Sequence, residues 1–299
     1  MPAKRILIIG CGKIGLRVAN LLSTVHEVWG LSRSTLNISA QNPDNDNSPH
    51  VQLITADVCK PESLNGQLPE HLDYLIYCVA PTERTETAYR NLYLTGLQNI
   101  ITALPDQHSL KRLYFVSSTS VYHQDDHSLV DETSPTLPIS FSGRVLLDAE
   151  AFCNHLPIPS TIIRFSGIYG SERSRLIEQV KMHKAKLSTD SRLTNRIHED
   201  DCVSFIQHLV HEDILGKPNK SIYLASDNES IDLNEVIKFL ASTLEVELTS
   251  KPTDNAEKRR AGNKKCSNKR MLDSGYRLHF PGYREGYLAM IEAMKKTKT

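Results

Sequence analysis

The chain opens Lys4-Arg5-Ile6-Leu7-Ile8-Ile9 and then turns through Gly10-Cys11-Gly12-Lys13-Ile14-Gly15. No other stretch constrains the fold as tightly. An apolar run of strand length ends in Gly-x-Gly-x-x-Gly, and Leu16, Val18, Ala19, Leu21 and Leu22 follow as an amphipathic helix. Strand, tight turn and helix in that order aim the backbone N–H groups of a helix N-terminus at one point, which suits a pyrophosphate. Gly10 permits the turn. Gly12, lacking a Cβ, lets the backbone approach the phosphates, and Gly15 lets the helix lie close to the sheet. The residues expected around a dinucleotide are therefore Gly10, Cys11, Gly12, Lys13, Ile14 and Gly15.

Further apolar, β-rich runs lie at 27–32, 51–55, 73–79, 111–117 and 159–165, with a later one at 221–225. Most are continuous, as in a parallel sheet covered on both faces. Between them, 82–104 carries Ala88, Leu92, Ile100 and Leu104 at helical spacing. Another helix starts near Ser142, with Val145, Ala149, Phe152 and Cys153 on one face. The alternation predicts an α/β fold, a Rossmann-type doubly wound parallel sheet with a smaller C-terminal substrate lobe. We place the dinucleotide-binding domain at 1–166, rejoined by helix 200–213 and strand 221–226, and the smaller lobe at 167–195 and 227–299. Helices are expected over 171–184 and 232–244, an acidic N-cap at Asp200-Asp201, and a basic, irregular tail to about 290. The stretch from Asn37 to His50, rich in Asn, Asp and Pro, reads as a surface loop.

Charge and cysteine usage narrow the partners. Equal numbers of basic and acidic residues, 35 each, argue against a nucleic-acid partner. No apolar run reaches membrane-spanning length or forms a signal-peptide core, so a cytoplasmic protein without a membrane partner is expected. The six cysteines are scattered, with no Cys-x-x-Cys, as for reduced thiols and no metal site.

The second strand ends Gly30-Leu31-Ser32-Arg33. A carboxylate about 20 residues beyond the glycine turn would bond a ribose 2′-hydroxyl. Ser32 and Arg33 stand there instead. An arginine suits a 2′-phosphate through charge-assisted, often bidentate bonds, so NADP(H) is preferred over NAD(H). Asp57-Val58 after the third strand and Cys78-Val79-Ala80 at the end of the fourth complete the expected cradle. Asp57 either bonds the adenine amino group or caps the turn before Pro61.

Phe115-Val116-Ser117-Ser118-Thr119-Ser120-Val121-Tyr122, Arg164-Phe165-Ser166-Gly167-Ile168-Tyr169-Gly170 and Arg196-Ile197-His198-Glu199-Asp200-Asp201 form a recurring set with Ser267-Asn268-Lys269-Arg270, Gly275-Tyr276 and Arg284-Glu285-Gly286. The set resembles the short-chain dehydrogenase/reductase superfamily on its extended, sugar-nucleotide-epimerase-like side, nearest the atypical YeeZ-like group. The resemblance implies a small, sugar-like substrate. It sets Ser118, four residues before Tyr122, at the place of the family's catalytic serine or threonine. Helices such as 82–104 and 142–155 pair across a two-fold in similar proteins, which implies a homodimer.

In that family a Tyr-x-x-x-Lys pair on one helical face does the proton transfer. The lysine lowers the tyrosine pKa from about 10, so the phenol works near neutral pH. Here the corresponding stretch, Pro138 to Glu150, holds neither residue. One alignment sets Ser140 and Arg144 at those places; another sets Phe141 and Val145. The first is preferred because it keeps a cation to hold the ribose, although arginine stays protonated and moves no proton. Two readings follow. Either a substitute acid/base serves, drawn from Ser118, Tyr122, Tyr169 and His198, or the chain binds a dinucleotide without turnover as a sensor or assembly subunit. Packing is the simpler role for Tyr122 and Tyr169. Lys258, Arg259, Arg260, Lys264, Lys265, Lys269 and Arg270 read mainly as a solvated face, with Lys269 and Arg270 kept as candidates for a substrate diphosphate.

Overall fold

The computed structural model describes residues 2–34, 50–248 and 262–296. Its strands, in chain order, are β1 (Arg5–Ile9), β2 (Glu27–Ser32), β3 (Val51–Thr55), β4 (Tyr74–Tyr77), β5 (Arg112–Ser118), β6 (Leu129–Val130), β7 (Ser160–Phe165), β8 (Gly167–Tyr169), β9 (Leu193–His198), β10 (Ile222–Ala225), β11 (Ser230–Asp232) and β12 (Lys265–Cys266). The helices are α1 (Lys13–Leu22), α2 (Glu86–Arg90), α3 (Gly96–Ala103), α4 (Phe141–His155), α5 (Arg175–Lys181), α6 (Glu199–Ile214), α7 (Leu233–Thr243), α8 (Lys269–Asp273) and α9 (Tyr283–Lys296).

Each of the seven apolar runs expected as strands lies in one sheet, ordered β10-β7-β5-β4-β1-β2-β3. The β1 run Ile6–Ile9 is fully buried, which explains its unbroken apolar character. It pairs parallel with β2 and β4, so Ile9 stands level with Leu31 on one side and Tyr77 on the other. The chain leaves β1 in one direction and returns through β4 in the other. Such a switch point opens a crevice at the carboxyl ends of the strands.

The chain forms two compact units. The first contains Met1–Ser118, Phe141–Ile163 and Val203–Ile222, and the second Thr119–Ser140, Arg164–Cys202 and Tyr223–Thr299. Segment 119–140, given to the first domain from sequence, groups with the second unit. There β6 pairs with β12, and Glu132 accepts the Leu224 N–H at 2.8 Å.

The long helix expected over 82–104 is α2 and α3 joined by a wider π turn at Asn91–Thr95. The Gly96 N–H bonds Asn91 instead of Leu92. The released Leu92 carbonyl accepts the Tyr77 hydroxyl of β4 at 2.5 Å. A Cβ on Gly96 would lie 2.8 Å from that hydroxyl, so the contact needs glycine.

In the second unit, β11, β9 and β8 form a small sheet. Tyr169, Ile177, Val180, Val236, Leu240, Tyr283, Tyr287 and Ile291 form its core. The tail read as irregular ends in the 14-residue helix α9, whose buried face is Tyr283, Gly286, Tyr287, Met290 and Ile291. The stretch 37–49 lies outside the described residues.

Candidate functional site

The glycine turn is built by close approach. Gly10 has φ +93°, and a Cβ there would lie 2.4 Å from the Cys78 carbonyl oxygen. The Gly10 and Cys11 N–H groups both donate to the Leu31 carbonyl, at 2.9 and 3.1 Å. A Cβ on Gly15 would lie 2.3 Å from the Gly10 carbonyl oxygen, so α1 can start this near the turn only with glycine. Gly12 differs: a Cβ there would meet nothing within 4 Å. Gly12 is also the N-cap of α1, offers no side-chain cap, and is followed by a first turn without a carboxylate. The positive end of the helix thus faces open space. Among the turn residues, Ile14 is buried and Lys13 exposed.

Cys11 takes part through its backbone alone. Its thiol is buried against the Ile8 carbonyl at 3.7 Å, and burial pushes it up to about 12. Gly30, which the sequence reading did not single out, makes room for it. A Cβ on Gly30 would lie 2.6 Å from the Cys11 sulfur.

At the end of β2, Ser32 Oγ donates to the Ser34 carbonyl at 2.6 Å, and Arg33 is exposed. Asp57 caps its own turn, Oδ1 accepting the Cys59 N–H at 3.0 Å. Burial raises the Cys59 thiol, the Asp57 charge adds to this, and Arg33 opposes it. Arg33 and Asp57 therefore act on one locality at the carboxyl ends of β2 and β3. Val58 is buried and its carbonyl accepts the Asn99 amide at 2.8 Å. Cys78 presents its carbonyl to Gly10, the Val79 carbonyl accepts the Tyr93 hydroxyl at 3.3 Å, and Ala80 is exposed.

Ser118 ends β5 and is partly exposed. Its neighbour Ser117 is buried and donates to Glu150 Oε1 at 2.6 Å, a pairing missed from sequence. Ser140 precedes α4, which begins at Phe141. Phe141 packs edge-on against Tyr89, with ring centroids 5.4 Å apart, and Val145 is fully buried. Arg144 is half exposed, with Glu86 of α2 at 4.0 Å. The buried face of α4 presents Ser142 and Leu146 four residues apart. None of these pairs combines a phenol with an ammonium.

In the second unit Tyr122 is buried, and its hydroxyl accepts from Arg164 at 2.7 Å. Tyr169 lies in the core, 4.7 Å from the Tyr287 ring, and burial pushes its phenol up. His198 is enclosed between Tyr169 and Phe280, with centroids at 5.2 and 4.1 Å. Its Nδ1 accepts the Asp200 N–H at 3.2 Å, bracing the start of α6.

Asp201, expected as part of an acidic cap, does something else. Fully buried, it accepts from the Tyr276 hydroxyl and the N–H groups of His279 and Phe280, at 2.8, 2.7 and 3.1 Å. Beside it, Glu199 accepts from the Ser171 N–H and hydroxyl, at 2.9 and 2.8 Å.

The basic run is not uniformly solvated. Lys264 is buried, its Nζ donating to the Tyr122 carbonyl at 3.3 Å, and burial holds its ammonium below the ordinary range. Lys269 pairs with Asp273 at 2.6 Å and Arg270 with Glu132 at 3.5 Å. Lys258, Arg259 and Arg260 lie outside the described residues. Among the described residues, no group of three His, Cys, Asp or Glu is placed to hold a metal ion. Nor is any described helix long and apolar enough to cross a membrane.

Residues 6–181 match the NAD dependent epimerase/dehydratase family. The chain is 28% identical to Protein YeeZ of Escherichia coli strain K12 over 211 residues, 69% of this chain and 73% of that protein. A solved structure of a Methylobacillus flagellatus protein assigned to the NAD-dependent epimerase/dehydratases is 36% identical, with a TM-score of 0.81 over 98% of this chain and 99% of that one. MoeE5, solved in complex with UDP-glucose and NAD, has the same fold at 18% identity, with a TM-score of 0.77 over 99% of this chain and 100% of that one.

Proposed function

The chain belongs to the NAD dependent epimerase/dehydratase family, and from that premise we propose that it is an NADP(H)-dependent oxidoreductase or epimerase-like enzyme acting on a small carbonyl or sugar-like substrate. The observation that carries this reading is the position of Gly12, where a Cβ would meet nothing within 4 Å at the uncapped start of α1. That surface fits a dinucleotide diphosphate. When bound, the nicotinamide supplies hydride transfer; the chain supplies everything else.

The first-turn N–H groups of α1 bind the diphosphate. Arg33, at the end of β2 where no carboxylate stands, pairs with a 2′-phosphate and sets the preference for NADP(H). Ser118, at the end of β5, orients the reacting oxygen of the substrate. Arg144 holds the ribose, leaving its contact with Glu86 to do so. The UDP-glucose in the MoeE5 complex supports a sugar-like substrate.

A second reading is favoured by one specific observation: α4 carries no Tyr-Lys pair on its buried face. On that reading the chain binds NADP(H) and reports its state to a partner. Two measurements separate the readings. Fluorescence titration tests cofactor choice, and NADPH should bind more tightly than NADH. Oxidation of NADPH with a panel of aldehydes and ketones, and reduction of NADP+ with a panel of UDP-sugars, test turnover. Ser118→Ala should remove any turnover while leaving NADPH affinity unchanged. A substitution effect confined to partner binding would refute the enzyme reading.

A further inference from the structure

The buried face of α4 offers Ser142 and Leu146 where a phenol and a cation would serve proton transfer. A phenol that serves a substrate from elsewhere must be within reach of it, and burial sorts the candidates. All eleven tyrosines of the chain lie among the described residues, and nine of them are buried. Tyr89 and Tyr93 are half-buried. Both belong to the helical segment after β4, four residues apart, with ring centroids 5.5 Å from each other. Tyr93 stands on the π turn at Asn91–Thr95, which packs against α4. Such turns inside α-helices are frequent at functional sites.

The contacts of Tyr93 lead to the carboxyl ends of the strands. Its hydroxyl donates to the Val79 carbonyl at 3.3 Å, and its ring meets Phe115 of β5 edge-on, with centroids 6.4 Å apart. Val79 lies against the glycine turn: a Cβ on Gly10 would stand 3.0 Å from the Val79 Cα. Tyr77 pairs with Phe115, and Val79 follows Tyr77 by the same two residues as Ser117 follows Phe115. The glycine turn therefore lies on one side of Val79 and the end of β5, with Ser118, on the other. The Tyr89 ring instead meets Phe141 at the start of α4. The bond from Tyr93 to Val79 is long for O–H···O, usually about 2.7–2.8 Å, so the hydroxyl gives it up at little cost. The buried hydroxyls of Tyr77 and Tyr122 are held more closely, by the Leu92 carbonyl at 2.5 Å and by Arg164 at 2.7 Å.

We propose that Tyr93 is the general acid and base of this chain, exchanging a proton with the substrate oxygen that Ser118 orients. The assignment rests on the NADP(H)-dependent enzyme proposed above. In carbonyl reduction the Tyr93 O–H bond breaks and its proton joins the carbonyl oxygen, while the carbon takes hydride from NADPH. Water then returns a proton to the phenolate. Oxidation of an alcohol runs the same steps backwards. The titratable groups around Tyr93 are Tyr77 of β4, Tyr89 on its own helical segment, and the Cys59 thiol, which lies against the Asn91 carbonyl. On the packed helices Glu86 stands by Arg144, Arg90 pairs with Asp148, and Glu150 accepts from Ser117. An oxidised nicotinamide is a cation, and it favours a phenolate beside it.

Proton release on NADP+ binding tests the assignment without a substrate. At about pH 9 an ordinary phenol, with a pKa of about 10, is still mostly protonated. The cation should then free about half a proton or more per NADP+ bound, and the ultraviolet phenolate band should rise with it. Tyr93→Phe should abolish both signals, and Tyr89→Phe should keep both. Urea unfolding and NADPH titration establish that each variant folds and binds like the parent. With aldehydes and ketones, Tyr93→Phe should lower kcat by about 10²- to 10⁴-fold, and Tyr89→Phe by less than about threefold. Absence of proton release from the parent, release that persists in Tyr93→Phe, or turnover that survives that substitution overturns the assignment. A parent that releases this proton yet turns over no substrate refutes the enzyme reading, while supporting Tyr93 as the phenol at the nicotinamide.

Discussion

Gly12→Ala separates binding from folding. The Gly12 backbone is extended, at φ −79° and ψ −157°, so alanine fits it without strain. The added methyl meets nothing within 4 Å. Stability should be unchanged, or raised by about 0.4–1 kcal/mol because alanine restricts the unfolded chain. The methyl would stand where a diphosphate must approach the first turn of α1. Losing two N–H bonds to phosphate, at about 1.5–3 kcal/mol each, weakens binding by roughly 10²- to 10⁴-fold. Gly10→Ala is the control. Its Cβ would lie 2.4 Å from the Cys78 carbonyl oxygen at φ +93°. Left-handed strain of about 1–2 kcal/mol plus a forced backbone shift should destabilise the fold by more than about 3 kcal/mol. The assay pairs urea unfolding with NADPH fluorescence titration. A Gly12→Ala protein that binds NADPH as tightly as the parent would show that the dinucleotide does not lie on this turn.

Arg33→Ala should erase the preference for NADPH over NADH, costing NADPH about 1–3 kcal/mol while leaving NADH unchanged; equal affinities in the parent protein would remove the basis for this role. Asp201→Asn should destabilise the fold by about 3–5 kcal/mol, because it turns an acceptor of three bonds into a group with a competing donor. A loss below 1 kcal/mol in urea unfolding would show that segment 276–280 is held by other contacts.

The sheet was legible because a strand buried on both faces must be an unbroken apolar run, and β1 with Ile6–Ile9 is the clearest case. Other features were present in the sequence but masked by charge. Helix α9 carries its apolar stripe at Tyr283, Tyr287, Met290 and Ile291, yet the basic run from Lys258 to Arg270 made the tail to about 290 read as irregular. Lys264 and Cys266 alternate with exposed Lys265, so a strand-like period pointed inward at both ends of that triplet. What the sequence could not carry was partnership between distant residues. Asp201 looks like any acidic residue at a helix start. Only the fold brings Tyr276, His279 and Phe280 to it. The same holds for Gly30, whose missing Cβ matters only because the Cys11 sulfur occupies that space.

Tyr169 is where the packing and catalytic readings of an aromatic residue come apart. Its hydroxyl is 3.4 Å from the Gly282 carbonyl, a long contact that contributes little. Its ring, by contrast, is held on three sides, by Tyr287, by His198, and by the bare backbone of Gly286. A Cβ on Gly286 would lie 2.0 Å from the Tyr169 hydroxyl. If packing is its role, Tyr169→Phe should cost no more than about 1 kcal/mol and leave turnover near the parent value. Gly286→Ala should then be far more damaging, at about 3 kcal/mol or more, because both ring and helix α9 must shift. A general acid or base would reverse that order, since removing its proton lowers turnover by about 10²- to 10⁴-fold without touching stability. Burial makes the first order the expected one. It pushes the phenol up, away from neutral pH, and the Asp227 charge pushes it further, while Arg196 opposes both. A Tyr-x-x-x-Lys pair needs a phenol whose pKa is brought down. The environment of Tyr169 does the opposite, which favours packing as its role.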